Sequence, residues 1–508
     1  MAIELEKNTI SINQIIANKI ENTVIEGDCI VPDVKPDIME IIGASGIVNI
    51  YKKEVSEGKV RIDGCINVYI MYIGDSGNGK SVRSINHTLD FSQIISVENA
   101  TSDMNENGKV ILQNIECKVI NERKINLKAN VNFEVKIFTN SNVEFVNNAN
   151  LNDIQKLENK ITINSVMGIG GTKTSTKETI NIDNTDNLAE ILKVNAQISN
   201  EDVKISYNKI LTKADIKLKI LYSTDDGRIN TAKATFPIMG FIDMQNVSEN
   251  NICEPEFEIK NMIIKPNGSM EHSIYIEIET GINVTVYENK EINVIQDLYS
   301  PSTNLKFVQK DIKTMQSKNI VASTLSFNQK TLIDIGDAKV YDADVQVRIE
   351  NVKPQNDAIL IGGNMQFVFT YGGNEPSEIL TKSVSIPFEH KMECKGINPN
   401  SNIQMNYDII SEDYNIMPGG EIAIKLDVNF IANTANLIDI NLIDNIEEDE
   451  NGSKNNYNMV IYFTRASDNL WKIAKEFGST KNNIIQANEL KNENLIPGMQ
   501  LFIPKYMG

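Results

Sequence analysis

The chain has 508 residues, 41% of them hydrophobic and 23% charged. That composition excludes wholesale disorder, and at roughly 100–200 residues per domain it implies about three to five domains. Lys and Arg total 49 against 68 Asp and Glu, a net charge of −19, so neither a nucleic-acid partner nor adsorption to anionic lipid is expected.

Five cysteines (Cys29, Cys65, Cys117, Cys253 and Cys394) are scattered, odd in number and never at CxxC spacing. This is the pattern of free thiols in a reducing compartment, not of a disulfide framework. The longest apolar run, near Ile66–Ile73, is shorter than the ~20 residues of a spanning helix. The first residues carry Glu4 and Glu6 with no apolar signal core after them. A protein made and kept in a cytosol, without membrane insertion, is therefore expected.

The first ~450 residues predict strands. Ile66-Asn67-Val68-Tyr69-Ile70-Met71-Tyr72 and Ile274-Tyr275-Ile276-Glu277-Ile278 are β-branched and aromatic, and several such runs alternate with period two. Clusters such as Gly74–Gly79 and Thr224–Gly227 supply turn residues that tolerate positive φ.

The chain repeats itself. Asp37–Ile42 matches Asn187–Leu192, and Val68–Tyr72 matches Leu218–Tyr222, both at an offset of 150; Phe91 and Phe241 fall on the same offset. A weaker third copy matches Ile361–Tyr371 with Ile62–Tyr72 at an offset of 299. A period this long marks a duplicated domain, not a solenoid repeat of about 20–50 residues. Later strand-rich text recurs in each copy, around 124–131, 272–286 and 421–426. Each copy is expected to be a β-sandwich or barrel, mainly of short strands. The predicted boundaries are 1–157, 158–305 and 306–443 for the copies, 444–456 for an acidic polar linker, and 457–508 for a final module.

That module has six basic and four acidic residues, against an acidic body. Met459–Thr464 predicts a strand. Ser467 or Asp468 can cap a helix bearing Leu470, Ile473, Ala474 and Phe477, which Gly478 stops. Thr480 can cap a second helix with Ile484, Ile485 and Ala487, and Gln500–Ile503 predicts a closing strand. The order is βααβ.

Tyr462, Asp468, Leu470-Trp471, Ile473-Ala474, Phe477-Gly478, Ile484, Ala487-Asn488, Leu495–Gly498 and Leu501–Pro504 resemble the LysM pattern along the whole module. LysM domains are small glycan-binding modules for N-acetylglucosamine polymers, so the resemblance implies a possible peptidoglycan ligand. It places the groove between the loop of Ser467, Asp468 and Asn469 and the loop of Asn494, Leu495 and Ile496. Where LysM sequences usually carry Gly before the Asp, this chain has Ser467, and the resemblance leaves a protein-docking role open for the same groove. Leu470, Trp471, Ile473, Ala474, Phe477 and Asn488 are expected to be structural support. Trp471 has two readings, as module core on the apolar helical face or as an exposed anchor, and the first is preferred.

Val31-Pro32-Asp33-Val34-Lys35-Pro36-Asp37-Ile38, followed by the repeated Glu-Ile and strand-Tyr units, resembles the SPOCS domain of spore-forming Firmicutes. Three such copies and one LysM resemble the SipL-like spore coat morphogenetic proteins, similar in role to SpoVID. That resemblance implies a non-enzymatic scaffold at the forespore surface in the mother-cell cytoplasm, with the coat-basement ATPase SpoIVA and other coat proteins as partners. The alternative is a peptidoglycan-binding wall or cortex protein.

No site chemistry competes strongly. Gly74-Asp75-Ser76-Gly77-Asn78-Gly79-Lys80-Ser81 matches GxxxxGK[ST], but Val82–Phe91 has no helical period, so a hairpin is expected in place of a phosphate cradle. His87, His272 and His390 lack ligand-spaced neighbours, and abundant carboxylates identify no catalytic pair. Gly168-Ile169-Gly170-Gly171 is read as a turn between copies. No cofactor and no metal are expected.

Overall fold

The computed structural model describes residues 3–505 except 76–78, 184, 269–271, 337, 374–378, 418 and 450–457. The chain is almost wholly β. In the first unit β1 (Leu5–Ile30), β6 (Lys124–Ala149) and β5 (Asn105–Asn121) form one antiparallel sheet with β6 central. The hairpins of β2 (Asp37–Ser56), β3 (Lys59–Asp75) and β4 (Lys80–Ser96) form a second sheet, with β3 central.

The next two units repeat this plan. The second pairs β7 (Gln155–Asn181), β12 (Ser273–Tyr299) and β11 (Ile252–Pro266), and separately β8 (Leu188–Ser206), β9 (Lys209–Thr224) and β10 (Ile229–Asp243). The third pairs β13 (Leu305–Leu332), β18 (Glu421–Glu448) and β17 (Asn402–Met417), and β14 (Val340–Gln355), β15 (Ala358–Gly372) and β16 (Ile379–Glu393). Three tandem β units and a small C-terminal βααβ module are thus present.

Within a unit the two sheets share one core, and alternation explains it. Ile210, Thr212, Ala214, Ile216, Leu218 and Ile220 of β9 all point inward, with Lys213, Asp215, Lys217 and Lys219 between them. The strands are longer than the sequence implies. Turn residues mark where hairpins reverse but not how far a strand runs past its sheet, and the outer strands continue beyond the unit to meet one another.

There Ile10 and Phe145 of the first unit, Ile161 and Val294 of the second, and Ile312 and Leu442 of the third pack together. These are equivalent positions, so the units surround a pseudo-threefold axis. Asn13 Nδ2 donates to Asn164 Oδ1 at 3.2 Å beside Met315, the third equivalent position. A β-bulge recurs at the exit from this hub, between Ile15 and Ala17, between Val166 and Gly168, and between Met315 and Ser317. Each bulge bends the outer strand from the shared hub into its own unit. Two junctions use one device: Asn140 accepts from the Val166 N–H at 3.0 Å and donates to its carbonyl at 2.5 Å, and Asn289 does the same to Lys318 at 3.3 Å.

Three sequence expectations are corrected here. Phe91 and Phe241 are not equivalent. Gly64 faces Phe91, but its counterpart Ala214 faces Ile238, because the second hairpin is shorter; Phe241 is exposed while Phe91 packs edge-on against Phe133. Gly168–Gly171 is no turn but lies inside β7, where a Cβ on Gly170 would stand 2.5 Å from Ile242 Cγ2. The stretch 444–456 is not all linker. Strand β18 runs to Glu448, because Ile446 buries in the apolar cluster at the end of the three-unit axis.

The motif around Pro32 and Pro36 is a braced corner between β1 and β2. Arg123 donates from Nη1 to Lys35 O at 3.0 Å and to Asp37 at 2.9 Å, and from Nη2 to Val31 O at 3.0 Å. From this corner Lys35 reaches across to pair with Glu190 of the second unit.

A candidate docking surface on the C-terminal module

The module is β19 (Met459–Phe463), α1 (Leu470–Glu476), α2 (Lys481–Ala487) and β20 (Gln500–Pro504), with the two strands antiparallel. Leu470, Ile473, Ala474, Ile484, Leu501 and Ile503 fill its interior. The caps are local. Asn469, not Ser467 or Asp468, caps α1, accepting from Lys472 N at 2.8 Å. Asp468 is turned back to accept from Tyr462 Oη at 2.7 Å and Arg465 N at 2.8 Å, which holds its carboxyl below the usual range. Thr480 caps α2, and Gly478, at φ 62, ends α1.

Thr464 joins the two candidate loops. Its backbone pairs with Met499 and Gly498, and its hydroxyl donates to Ile496 O at 2.5 Å and accepts from Met499 N at 3.0 Å. Ser467, Asn469, Asn494 and Ile496 are exposed around this clip, while Leu495 turns its side chain to the core. Asn488 is structural. Its amide pairs with Phe502 in both directions at 2.7 Å and with Ile484 O at 2.8 Å, so it ties α2 to β20.

Trp471 packs against the edge of the module's core and also reaches beyond it. It is half-buried and faces the body of the protein. Its indole N–H donates to Asp297 Oδ2 at 2.8 Å, and its ring meets Tyr299 edge-on at 5.0 Å. Lys475 reaches Asp297 Oδ1 at 2.5 Å and lies over the Phe307 ring, and Tyr299 Oη donates to Ser479 O at 2.9 Å. The module is therefore latched to the junction of the second and third units. The apolar spacing of α1 gave no sign of this, because the partners lie far away in sequence.

Sequence reasoning also missed the outer face of the module's own sheet. Met459, Ile461 and Phe463 are 60%, 56% and 61% exposed, and Phe502, cross-strand from Ile461, is 41% exposed. A two-stranded sheet with one face in water should alternate apolar and polar. Met459-Val460-Ile461-Tyr462-Phe463 is apolar throughout, and that was the available signal. Contiguous exposed apolar surface of this kind marks interaction sites.

Elsewhere the loop matching GxxxxGK[ST] is a hairpin. Gly74 pairs with Ser81 and Asp75 with Lys80, β4 follows instead of a helix, and Ser76-Gly77-Asn78 lies outside the described residues. His390 stacks on Phe430, and burial lowers its pKa. Burial raises the pKa of Cys29 and of Cys117. Among the described residues no cluster of three or more His, Cys, Asp or Glu is placed to hold a metal, and no helix is long and apolar enough to cross a membrane.

These features define a multidomain β protein built from one triplicated unit and closed by a small βααβ module. The family model described as SipL, SPOCS domain matches residues 37–120, 187–267 and 338–417, and the LysM domain model matches 464–504. The chain belongs to the SipL family of SPOCS-domain proteins. Each SPOCS match covers four strands, β2–β5 in the first unit, and leaves out the long outer strands that build the hub. No curated protein and no solved structure matches the chain.

Proposed function

We propose that the chain is a non-enzymatic scaffold for spore coat assembly, held at the forespore surface in the mother-cell cytoplasm. Its LysM module docks to a SpoIVA-like coat-basement ATPase, and its three β units engage other coat components. The observation that carries this reading is the uncovered apolar face of Met459, Ile461, Phe463 and Phe502. A face of that kind suits a protein surface better than a sugar, whose ring hydroxyls need polar partners. The exposed loop residues Ser467, Asn469, Asn494 and Ile496 lie on the same small module and extend the contact. Several binding modules on one chain raise effective concentration, so individually weak contacts give stable encasement.

The test titrates the full chain with a SpoIVA-like ATPase and, in parallel, with soluble peptidoglycan fragments. Saturable binding of the ATPase, weakened at least tenfold by Ile461→Lys or Phe463→Lys, is expected. Both side chains point away from the module's core, so folding survives the change. Binding to peptidoglycan alone would move the protein to the wall-binding class.

A further inference from the structure

The three β2–β3-type hairpins approach one another around a cavity of about 690 Å³ on the pseudo-threefold axis. Equivalent cross-strand pairs line it: Ser45 with Tyr69, Asn195 with Lys219, and Asp344 with Val368. The symmetry of the backbone is broken by charge. The second unit supplies Lys193 and Lys219, and the third answers with Asp342 and Asp344. Lys219 lies 3.1 Å from Asp342 and 3.7 Å from Asp344, and Lys193 pairs with both. These four charges balance.

What remains is cationic. Lys233 is exposed and among the described residues has only Glu412, at 3.9 Å, which Lys219 holds more closely at 3.2 Å. Lys217 spends its ammonium on the carbonyls of Ile409 and Ile410. Arg348 lines the cavity with no ion pair among the described residues. Five cations thus line the cavity with two carboxylates, Asp344 and Glu412, and Asp342 pairs with Lys193 and Lys219 beside it, in a protein of net charge −19. The first unit adds two hydroxyls. Ser45 Oγ is buried without a hydrogen-bond partner, and the Tyr69 hydroxyl meets none among the described residues. Orphaned donors beside surplus cations, in a cavity of ligand size, form a receptor for negative oxygens.

We propose that this axial cavity binds a small polyanion bearing two or more carboxylate or phosphate groups. The ligand accepts from Ser45 and Tyr69 on one side and pairs with Arg348 and Lys233 on the other. It bridges three units that the chain joins elsewhere through the apolar hub and through ion pairs such as Lys35–Glu190 and Lys53–Glu256. The inference is independent of the docking role of the LysM module.

The test is calorimetric titration of the full chain with citrate and with pyrophosphate, at matched ionic strength so that general screening cancels. Saturable binding of at least one, near one per chain, is expected. The double variant Arg348→Gln, Lys233→Gln should weaken it at least tenfold, and Ser45→Ala, Tyr69→Phe should weaken it by a smaller factor. Arg348 and Lys233 are exposed, and an unchanged urea midpoint would confirm that the double variant folds. Binding of citrate alone identifies a carboxylate site, and of pyrophosphate alone a phosphate site. No saturable binding of either anion, or equal affinity in the double variant, would overturn the proposal.

Discussion

The hub of the three units and the outer face of the LysM sheet are made of the same kinds of side chain and meet opposite fates. Ile12, Phe145, Ile163, Val294 and Leu442 are nearly inaccessible, because each apolar strand end has two copies of itself to pack against. Met459, Ile461 and Phe463 stand in water, because the module occurs once in the chain and only its α1 side meets the body. Triplication supplies the hub with its own partner; the LysM face must find one outside the chain. Burial of an apolar side chain is worth about 1.5–3 kcal/mol, so the difference separates a contact that stabilises the fold from one held in reserve for binding.

The largest effect is expected where that separation is attacked directly. Phe145→Ala empties a fully packed site shared by three units and should cost about 3–5 kcal/mol, read as a fall in the urea midpoint. Ile461→Ala on the LysM face should stay within about 0.5 kcal/mol. Equal losses from the two would erase the distinction.

A second test asks whether charged junctions behave like the apolar hub. Between the first and second units Lys53 pairs with Glu256 and Glu258, while Glu106 and Lys260 face the same cluster. Burial raises Glu256 to about 7, with Glu258 and Glu106 adding to the rise and Lys53 opposing it. An unfolded Glu titrates near 4.3. Between those values the native state holds a proton that the unfolded chain has released, so this group lowers stability as pH rises through the window. Glu258 is held low by Lys53 and Lys260 in spite of its burial, so its contribution runs the other way and is lost only at more acid pH. Urea midpoints across about pH 4.5–7 should therefore fall less steeply in Glu256→Gln than in the parent. Parallel profiles would remove Glu256 as the source.

The same contrast explains what was legible in the sequence. The repeat was readable because duplication keeps spacing, and Asp37–Ile42 and Asn187–Leu192 do lie at or beside the starts of β2 and β8. The LysM helices were readable because caps and stops act within a few residues, as Thr480 and Gly478 do; the cap moved by one position to Asn469. The hub was not readable. Its strands are rich in Asn, and their apolar residues become a core only when three distant copies close around one axis. Spacing misled at Phe241, because an indel in a hairpin shifts every later position. The charge network around Lys193 and Asp342 was invisible for a related reason, since nothing local says that the second and third units face each other there.

Trp471 is the test of how far the module belongs to the body. It is the only tryptophan in the chain, so intrinsic emission reports on this one contact. Asp297 receives both the indole N–H and the Lys475 ammonium, and Tyr299 covers the ring edge-on. Asp297→Ala removes both polar bonds while leaving the Tyr299 contact. Hydrogen bonds to charged groups are worth about 1.5–3 kcal/mol each at most, and this pair is partly exposed, so the lower end applies. The expected outcome is a red shift of Trp471 emission with no change in the unfolding midpoint of the β units, because the module's own core, from Leu470 to Ile503, does not include Asp297. Lys475→Ala should give the same shift in smaller measure, since the indole bond survives it. If emission stays put in both variants, Tyr299 holds the module without Asp297, through its edge-on contact with the Trp471 ring and its hydroxyl bond to Ser479 O.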